Sequence, residues 1–565
     1  MNKRINFIAV VAIITSIVLL IDIYHMQHIA FDKYNQLAQK NRIVSKPILA
    51  QRGIIFDRNH IVLAENRPSL NIYITPKSCD NTLQALDFVS SFTEVTPWQK
   101  QKFIKQKSYS FDSVIIKQDI SDEEATLIYS HLPAMPCVSV HEGTLRQYHL
   151  SPAVSNVVGY LGANGVETTF NSIISGKDGH YDYEVNAART PIQIIKKVEP
   201  KKGYDIELTI DAKLQEYAYN AFGDEQGAAV VINPENGEIL ALVSHPSFDN
   251  NLFLKKIASE DYNKIINDPN LPLLDRASKG LFAPGSTIKP FIAASALQAG
   301  YINKSFSIMD QHGYFMPKGT KHIYRDWLRT GGHGLVDIET SLAYSCDVFY
   351  YKLSMLIGMK KILPWLSGFG FGSQNIKDIP YAVSGILSSP TWKKSHVKAP
   401  WYTGDTVMSY IGQGYMLVTP LQLAHALTIL VNAGKDIEPH ILRTVLANKM
   451  QLKPQVKITE PLNLEKAKLS IIIRGMERVI REKSNWATGW RFGRPSYSVA
   501  GKTGTSQVVH DNRKTRQQTW SKNLRDNSWF MAFSPVDRPK FAVVVITEHS
   551  SAASKIARKI LDFVN

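Results

Sequence analysis

Residues 5–21 form an apolar run broken only by Asn6, Thr15 and Ser16, with Lys3 and Arg4 directly before it. No other feature constrains the fold of this chain as strongly. About 17 apolar residues is the lower limit for a helix that crosses a bilayer. A helix satisfies its backbone hydrogen bonds internally, which a lipid environment demands. The following residues, Asp22-Ile23-Tyr24-His25-Met26-Gln27, offer no small-x-small cleavage site. The run is therefore expected to remain as an anchor rather than leave as a signal peptide. Basic residues ahead of it put the N-terminus in the cytoplasm and the remaining chain outside. No second run of this length follows, so a single pass is expected.

The remainder must fold in water. A chain of 565 residues is too long for one ordinary domain. Hydrophobic residues at 44% and charged residues at 20% allow a buried core. The formal net charge of +16 suits nucleic acid, lipid headgroups or an acidic polymer. The basic residues are scattered and no nucleic-acid motif is present, so no nucleic-acid partner is expected. Three cysteines cannot form a disulfide scaffold. Cys79 and Cys137 lie in the same early region, where a disulfide and two separate buried thiols are both compatible with the spacing.

Residues 26–200 read as short alternating segments broken by Pro and Gly. Ser69-Leu70-Asn71-Ile72-Tyr73-Ile74 predicts a strand ended by Pro76. The Lys-rich stretch 196–203, with Pro200 and Gly203, marks a boundary. Beyond it, residues 227–244 hold two apolar runs around Pro234-Glu235-Asn236-Gly237, a hairpin signal. Residues 527–534 and 541–547 predict two more strands. Residues 283–302, 338–358 and 419–434 carry helical spacing. Strands at both ends with helices between them predict an α/β (α+β) domain with a mainly antiparallel sheet. Residues 510–526 are polar and charged and predict a loop.

Three short elements carry chemistry. In Ala283-Pro284-Gly285-Ser286-Thr287-Ile288-Lys289-Pro290, Ser286 and Lys289 are three apart and share one face of a helix. A serine hydroxyl needs an adjacent base, and an amine serves when burial or a second cation keeps it neutral. Pro284-Gly285 predicts a helix starting at Ser286, with its amides near a reacting carbonyl. Alone, this pattern is weak, since chance and ordinary helix starts produce it. Ser345-Cys346-Asp347 supplies a second hydroxyl that can relay a proton to a leaving amine. Lys502-Thr503-Gly504-Thr505 reads as a strand. Its charge and hydroxyls suit a carboxylate, and Gly504 lets a substrate lie alongside as an added strand.

This ordered set resembles the one used by β-lactamases and penicillin-binding proteins. Arg52-Gly53-Ile54-Ile55-Phe56-Asp57-Arg58 is similar to the segment that opens the extracytoplasmic part of class B penicillin-binding proteins. Gly412-Gln413-Gly414-Tyr415 and Thr419-Pro420-Leu421-Gln422-Leu423 resemble the same class. Trp401 with Gly404-Asp405-Thr406, Arg325-Asp326-Trp327, and Asp347 in place of Asn resemble its elongation-type member. The resemblance implies a penicillin-binding transpeptidase fold at 201–565 and a β-rich stalk at 26–200. Before them would come an anchor at 5–25 and a tail at 1–4. It implies a D,D-transpeptidase acting on the D-Ala-D-Ala ends of peptidoglycan stem peptides in cell-wall elongation. Ser286 would be the nucleophile, Lys289 the base and Ser345 the relay beside Asp347. Lys502, Thr503, Gly504 and Thr505 would hold the terminal carboxylate. β-Lactams would acylate Ser286, and a polytopic membrane glycosyltransferase with other elongation-complex proteins would be its partners at the inner membrane. Residues 52–58 would be structural.

The same resemblance implies a structural Zn2+ held by Asp310, Asp326, His333 and Cys346, spaced Asp-x15-Asp, Asp-x6-His and His-x12-Cys. These are zinc-compatible types, and four of them close a tetrahedral site. With Ser345 and Asp347 facing the cleft, Cys346 would point behind it. Competing readings are a hydrolase with these motifs (a D,D-carboxypeptidase or a β-lactamase), a division-type transpeptidase, and a non-catalytic scaffold or β-lactam sensor. A β-lactamase has no need of the long stalk, and a sensor usually carries further membrane segments or a signalling domain.

Overall fold

The computed structural model describes residues 2–106, 113–163, 165–186, 191–254, 259–319, 321–328, 331–373, 376–447, 450–508 and 521–565. The predicted loop 510–526 lies mostly outside them. The chain packs as two compact units. They do not follow a single cut near residue 200, because residues 54–65 and 146–174 belong with residues 204–565. One reason is a short strand, Ile55–Phe56, which pairs in parallel with Asp205–Leu208.

The first unit begins with helix Asn2–Tyr24, continued by a π-helical turn His25–Ile29. Its 26-residue stretch Arg4–Ile29 is long and apolar enough to span a membrane, and among the described residues no other helix is. At 1.5 Å per residue it reaches about 39 Å, against a hydrocarbon core of about 30 Å. Strands Ile43–Ile48, Gly179–Val185 and Pro191–Val198 form an antiparallel sheet. A separate core gathers Ile72, Leu86, Val89, Phe103, Ile116 and Ile128. Two of its helices have clear start signals. Asn81 caps Thr82–Phe92, and Ser121 forms a capping box with Glu124 at the start of Asp122–His131. Cys79 and Cys137 are joined by a disulfide, which resolves the open choice between a bridge and two thiols.

The second unit is built on five strands: β1 (Gly227–Ile232), β2 (Ile239–His245), β3 (Ala500–Ser506), β4 (Asn527–Ser534) and β5 (Phe541–Thr547). Their order is β2-β1-β5-β4-β3, with every pairing antiparallel. The hairpin, the two C-terminal strands and the mainly antiparallel α/β architecture match the sequence expectation. The helices around the sheet are α1 (Ala212–Asn220), α2 (Lys289–Gln298), α3 (Ile338–Ala343), α4 (Asp347–Ile357), α5 (Pro420–Val431), α6 (Lys466–Arg481) and α7 (Ala553–Val564).

β1 and β5 are apolar without alternation because both sheet faces are covered. Ala228, Val230, Val544 and Ile546 face a core shared with Phe291 of α2 and Leu427 of α5. Ala229, Val231, Val543 and Val545 face Leu214 of α1 and Ile560 of α7. The motif around Asp57 is structural: Asp57 is buried and accepts from the amides of Asn59, Ile61 and Ala212.

Two helices differ from expectation. The nucleophile segment does not start an α-helix at Ser286. Residues Gly285–Ile288 form a 3-10 turn, and α2 starts at Lys289. Pro290 has no amide to bond the Ser286 carbonyl at the α spacing, so the Lys289 amide bonds it instead, closing the tighter turn. The predicted helix 338–358 is broken into α3 and α4. Ser345 takes φ +53°, which a continuous helix cannot accommodate.

Candidate active site

The break between α3 and α4 and the turn before α2 bring the sequence motifs together. In a 3-10 turn residues three apart eclipse, so Ser286 and Lys289 lie on one side of the turn. Lys289 is fully buried in an apolar helix whose residues Lys289 to Leu297 are all buried. Its Nζ donates to Ser345 O at 2.7 Å, to Ser345 Oγ at 3.3 Å and to Asp347 Oδ1 at 2.6 Å. Lys289 Nζ also sits 5.1 Å from the Tyr350 ring centroid. From the facing strand, Lys502 Nζ donates to Ser345 Oγ at 2.9 Å and to Thr503 O at 3.1 Å. Ser345 Oγ is therefore held between two amines. Burial, with the neighbouring Lys289 cation, pushes the Lys502 amine well below the ordinary lysine range.

Among the described residues β3 pairs with β4 on one side only and is an edge of the sheet. The nucleophile turn lies against it. A Cβ on Gly285 would meet Thr505 O at 2.2 Å, and one on Gly504 would meet Thr287 Cγ2 at 2.8 Å. Gly285 also has φ +53°, so both its conformation and its surroundings require glycine. The Gly285 amide donates to Gly412 O at 2.9 Å, and Gln413 Nε2 donates to Thr505 O at 3.0 Å. Trp529 Nε1, from β4, ties Ala283 O at 2.9 Å. Thr503 Oγ1 donates to Thr488 Oγ1 at 2.8 Å, whereas Thr505 is exposed.

Gln413, Thr488, Trp529 and Tyr350 have parts here that the motif reading did not assign. Gly412-Gln413-Gly414 carried a signal, a turn flanked by glycines. Thr488 lies in a stretch with no pattern of its own.

Behind Ser345 the structure gathers Asp310, Asp326, His333 and Cys346, all buried, with ligand atoms within 4.8 Å of one another. His333 Nδ1 is 3.2 Å from Asp310 Oδ2 and 3.7 Å from Asp326 Oδ2, and Cys346 Sγ is 3.7 Å from Asp310 Oδ2. His333 Nε2 is buried and has no hydrogen-bond partner among the described residues. Burial alone would raise Asp310, but hydrogen bonds from the His333 ring, its amide and the Gly313 amide hold the carboxyl down at about 2. Burial and the neighbouring Asp347 carboxylate push Asp326 up to about 6. Asp326 Oδ2 also accepts from the amides of Asp347 at 2.7 Å and Val348 at 3.2 Å, capping α4. One carboxylate thus belongs to the cluster and starts the helix that carries Asp347.

Residues 227–563 match the family described as "Penicillin binding protein transpeptidase domain", and residues 47–208 match "Penicillin-binding Protein dimerisation domain". Peptidoglycan D,D-transpeptidase MrdA of Escherichia coli (strain K12) is 33% identical, over 97% of this chain and 91% of its own length. The MrdA of Haemophilus influenzae is 32% identical, over 97% and 89%. Among solved structures, penicillin-binding protein 2 of Helicobacter pylori, in complex with MreC, superposes with a TM-score of 0.79 at 26% identity, covering 92% of this chain and 98% of that one. Penicillin-binding protein 2 of Pseudomonas aeruginosa, in complex with WCK 5153, gives 0.67 at 28% identity, covering 92% and 96%. The chain belongs to the penicillin-binding protein 2 family of peptidoglycan D,D-transpeptidases.

Proposed function

We propose that this chain cross-links peptidoglycan during cell-wall elongation through an acyl-enzyme on Ser286. Ser286 Oγ attacks the penultimate D-alanine carbonyl of a donor stem peptide while Lys289, acting from its neutral form, takes its proton. The C–N bond breaks, and Ser345 relays the proton to the departing amine of terminal D-alanine. The amides of Ser286 and Thr505 stabilise the oxyanion. Lys502, Thr503 and Thr505 hold the terminal carboxylate, and Gly504 lets the donor run along the free edge of β3. An acceptor amine then attacks the ester, forming the cross-link and restoring Ser286. A β-lactam enters as a donor mimic and stops at the ester. Asp347 holds Lys289 in place.

The observation that carries this reading is the pair of buried amines on Ser345 Oγ, one turn from Ser286 and beside an unpaired strand edge. Mass spectrometry of the penicillin adduct tests it. A stable adduct on Ser286 is expected. An adduct elsewhere, or one hydrolysed within minutes, would reject the transpeptidase assignment.

Asp310, Asp326, His333 and Cys346 suit a structural Zn2+. Bond lengths of about 2.0–2.3 Å put tetrahedral ligands about 3.3–3.8 Å apart; three of the pairs here lie 3.2–3.7 Å apart, and all four atoms lie within 4.8 Å of one another. Zinc would supply a closed four-ligand cross-link bracing Ser345-Cys346-Asp347 from behind. The span Arg4–Ile29 would anchor the chain with Lys3 and Arg4 in the cytoplasm and the catalytic unit outside the inner membrane. Partners would be a polytopic membrane glycosyltransferase and elongation proteins such as the MreC seen with the Helicobacter pylori relative.

A further inference from the structure

We propose that Thr488, from the stretch between α6 and β3, is the residue that positions Thr503 for a ligand's carboxylate. Its hydroxyl holds Thr503 Oγ1 in place and gives it a proton while Thr503 turns its own proton to the carboxylate. Thr488 acts through Thr503 and is a positioning residue, not a catalytic one. The proposal rests on the acyl-transfer reading for the carboxylate and on Thr488 itself for the contact.

A closed ring of contacts puts Thr488 at the site. Its amide donates to Ala343 O at 3.3 Å, two residues before Ser345. Its Oγ1 accepts from Thr503 Oγ1 at 2.8 Å, next to Lys502. Lys502 Nζ donates to Ser345 Oγ at 2.9 Å, which closes the ring. Thr488 therefore joins the end of α3 to strand β3, the two elements that carry Ser345 and the Lys502 to Thr505 motif.

The backbone around Thr488 is fixed on both sides. Ala487 before it is buried, and its amide donates to Ser484 O at 3.1 Å. The Gly489 amide after it donates to Val479 O of α6 at 3.0 Å. A Cβ on Gly489 would meet that carbonyl at 2.4 Å, so the chain is pressed against α6 at this point. The hydroxyl is delivered to Thr503 from a rigid support.

Proton counting gives this contact its function. A threonine hydroxyl has one proton to donate and lone pairs that accept, whereas a carboxylate only accepts. Thr503 gives its proton to Thr488, so it can hold a carboxylate only by turning that proton away. Among the described residues neither hydroxyl has another hydrogen-bond partner, so Thr488 can rotate its own proton onto Thr503 Oγ1. The result is a chain from Thr488 O–H to Thr503 O–H to carboxylate, in which each bond polarises the next. Two protons rotate and neither oxygen moves. Thr503 is ordered beforehand, which lowers the entropy lost on binding. A tie that merely fastened α3 to β3 predicts the same loss for every ligand, whereas a proton partner of Thr503 predicts a loss only for ligands with a carboxylate.

The test uses the full-length chain in detergent micelles, carrying Ser286→Ala so that binding is read without acylation. The probes are benzylpenicillin, which has the carboxylate, and its methyl ester, which does not. Thr488→Val keeps the amide bond to Ala343 and replaces the hydroxyl by a methyl. It should weaken benzylpenicillin binding by about fivefold, the scale of one hydrogen bond, and leave ester binding at the parent's level. Thr488→Ser, which keeps the hydroxyl, should recover the acid. In a Thr503→Val background, Thr488→Val should have no further effect on the acid. Parent-level binding of benzylpenicillin by Thr488→Val, equal losses for acid and ester, or a full further loss in the Thr503→Val background overturns the proposal. A loss confined to the acid, without a penicillin adduct on unmodified Ser286, supports the part of Thr488 and overturns the catalytic reading. An adduct on Ser286 without that loss overturns the part of Thr488 alone.

Discussion

Lys502 Nζ lies 2.9 Å from Ser345 Oγ, although 157 positions separate the two residues. Ser345 also takes φ +53°, a conformation that disfavours residues with a Cβ. Ser345→Gly separates these two facts. Glycine accepts the backbone without strain and removes the hydroxymethyl side chain that carries the relay hydroxyl. The variant should melt no lower than the parent, while penicillin acylation falls by roughly 10²–10⁴-fold, the range for losing a proton relay. Stopped-flow acylation at saturating penicillin checks this, and a rate equal to the parent's removes Ser345 from the mechanism.

The lowered amine of Lys502 predicts a pH dependence of stability. Its folded value lies below its unfolded value, so between the two the unfolded chain binds more protons. Stability should therefore rise with pH from that lowered value up to about 10.4, the ordinary lysine value. Urea unfolding between neutral pH and pH 10 reads this slope, and Lys502→Met should flatten it. An unchanged slope in the variant would mean that Lys502 is not the group responsible.

Gly285→Ala tests how closely the nucleophile turn must approach β3. The added Cβ would meet Thr505 O at 2.2 Å, and φ +53° adds a strain of about 1–2 kcal/mol. The turn must move away from Thr505, taking the Ser286 amide with it. Acylation should fall by ~10²-fold or more, as when an oxyanion donor is misplaced, with the melting temperature lowered by several degrees. Wild-type acylation would show that the contact is not needed.

Metal removal tests the cluster behind Ser345. Purified protein should contain close to one zinc per chain by elemental analysis. A chelator should lower the melting temperature of the parent and leave Cys346→Ser and His333→Ala unchanged. Cys346→Ser should also slow acylation, because its neighbours Ser345 and Asp347 lose their brace. Protein free of zinc with full thermal stability would disprove the assignment.

Much of the site was legible because each motif is local. Ser286 and Lys289 are one turn apart in any helical geometry, and Lys502-Thr503-Gly504-Thr505 lies on the strand its flanking residues suggest. The apolar runs 527–534 and 541–547 were read as strands with the same bounds the structure gives. The break at Ser345 was not legible. Apolar spacing continues through 338–358, and the residue that caps the second helix, Asp326, lies in a distant loop. The parts of Gln413 and Thr488 escaped for the same reason: each acts through one hydrogen bond to a residue far along the chain.

By itself the sequence determined the membrane-length apolar helix, the pairing of apolar runs into an antiparallel sheet, and the residue types available for acyl transfer. These follow from period, length and side-chain chemistry, which are properties of neighbours in the chain. Tertiary structure alone decided that Ser345 Oγ is shared by two lysines, that β3 is an edge strand among the described residues, and that Thr488 bonds Thr503 on it. Those relationships depend on packing between segments far apart in the chain, where burial and hydrogen-bond geometry, rather than spacing, choose the partner.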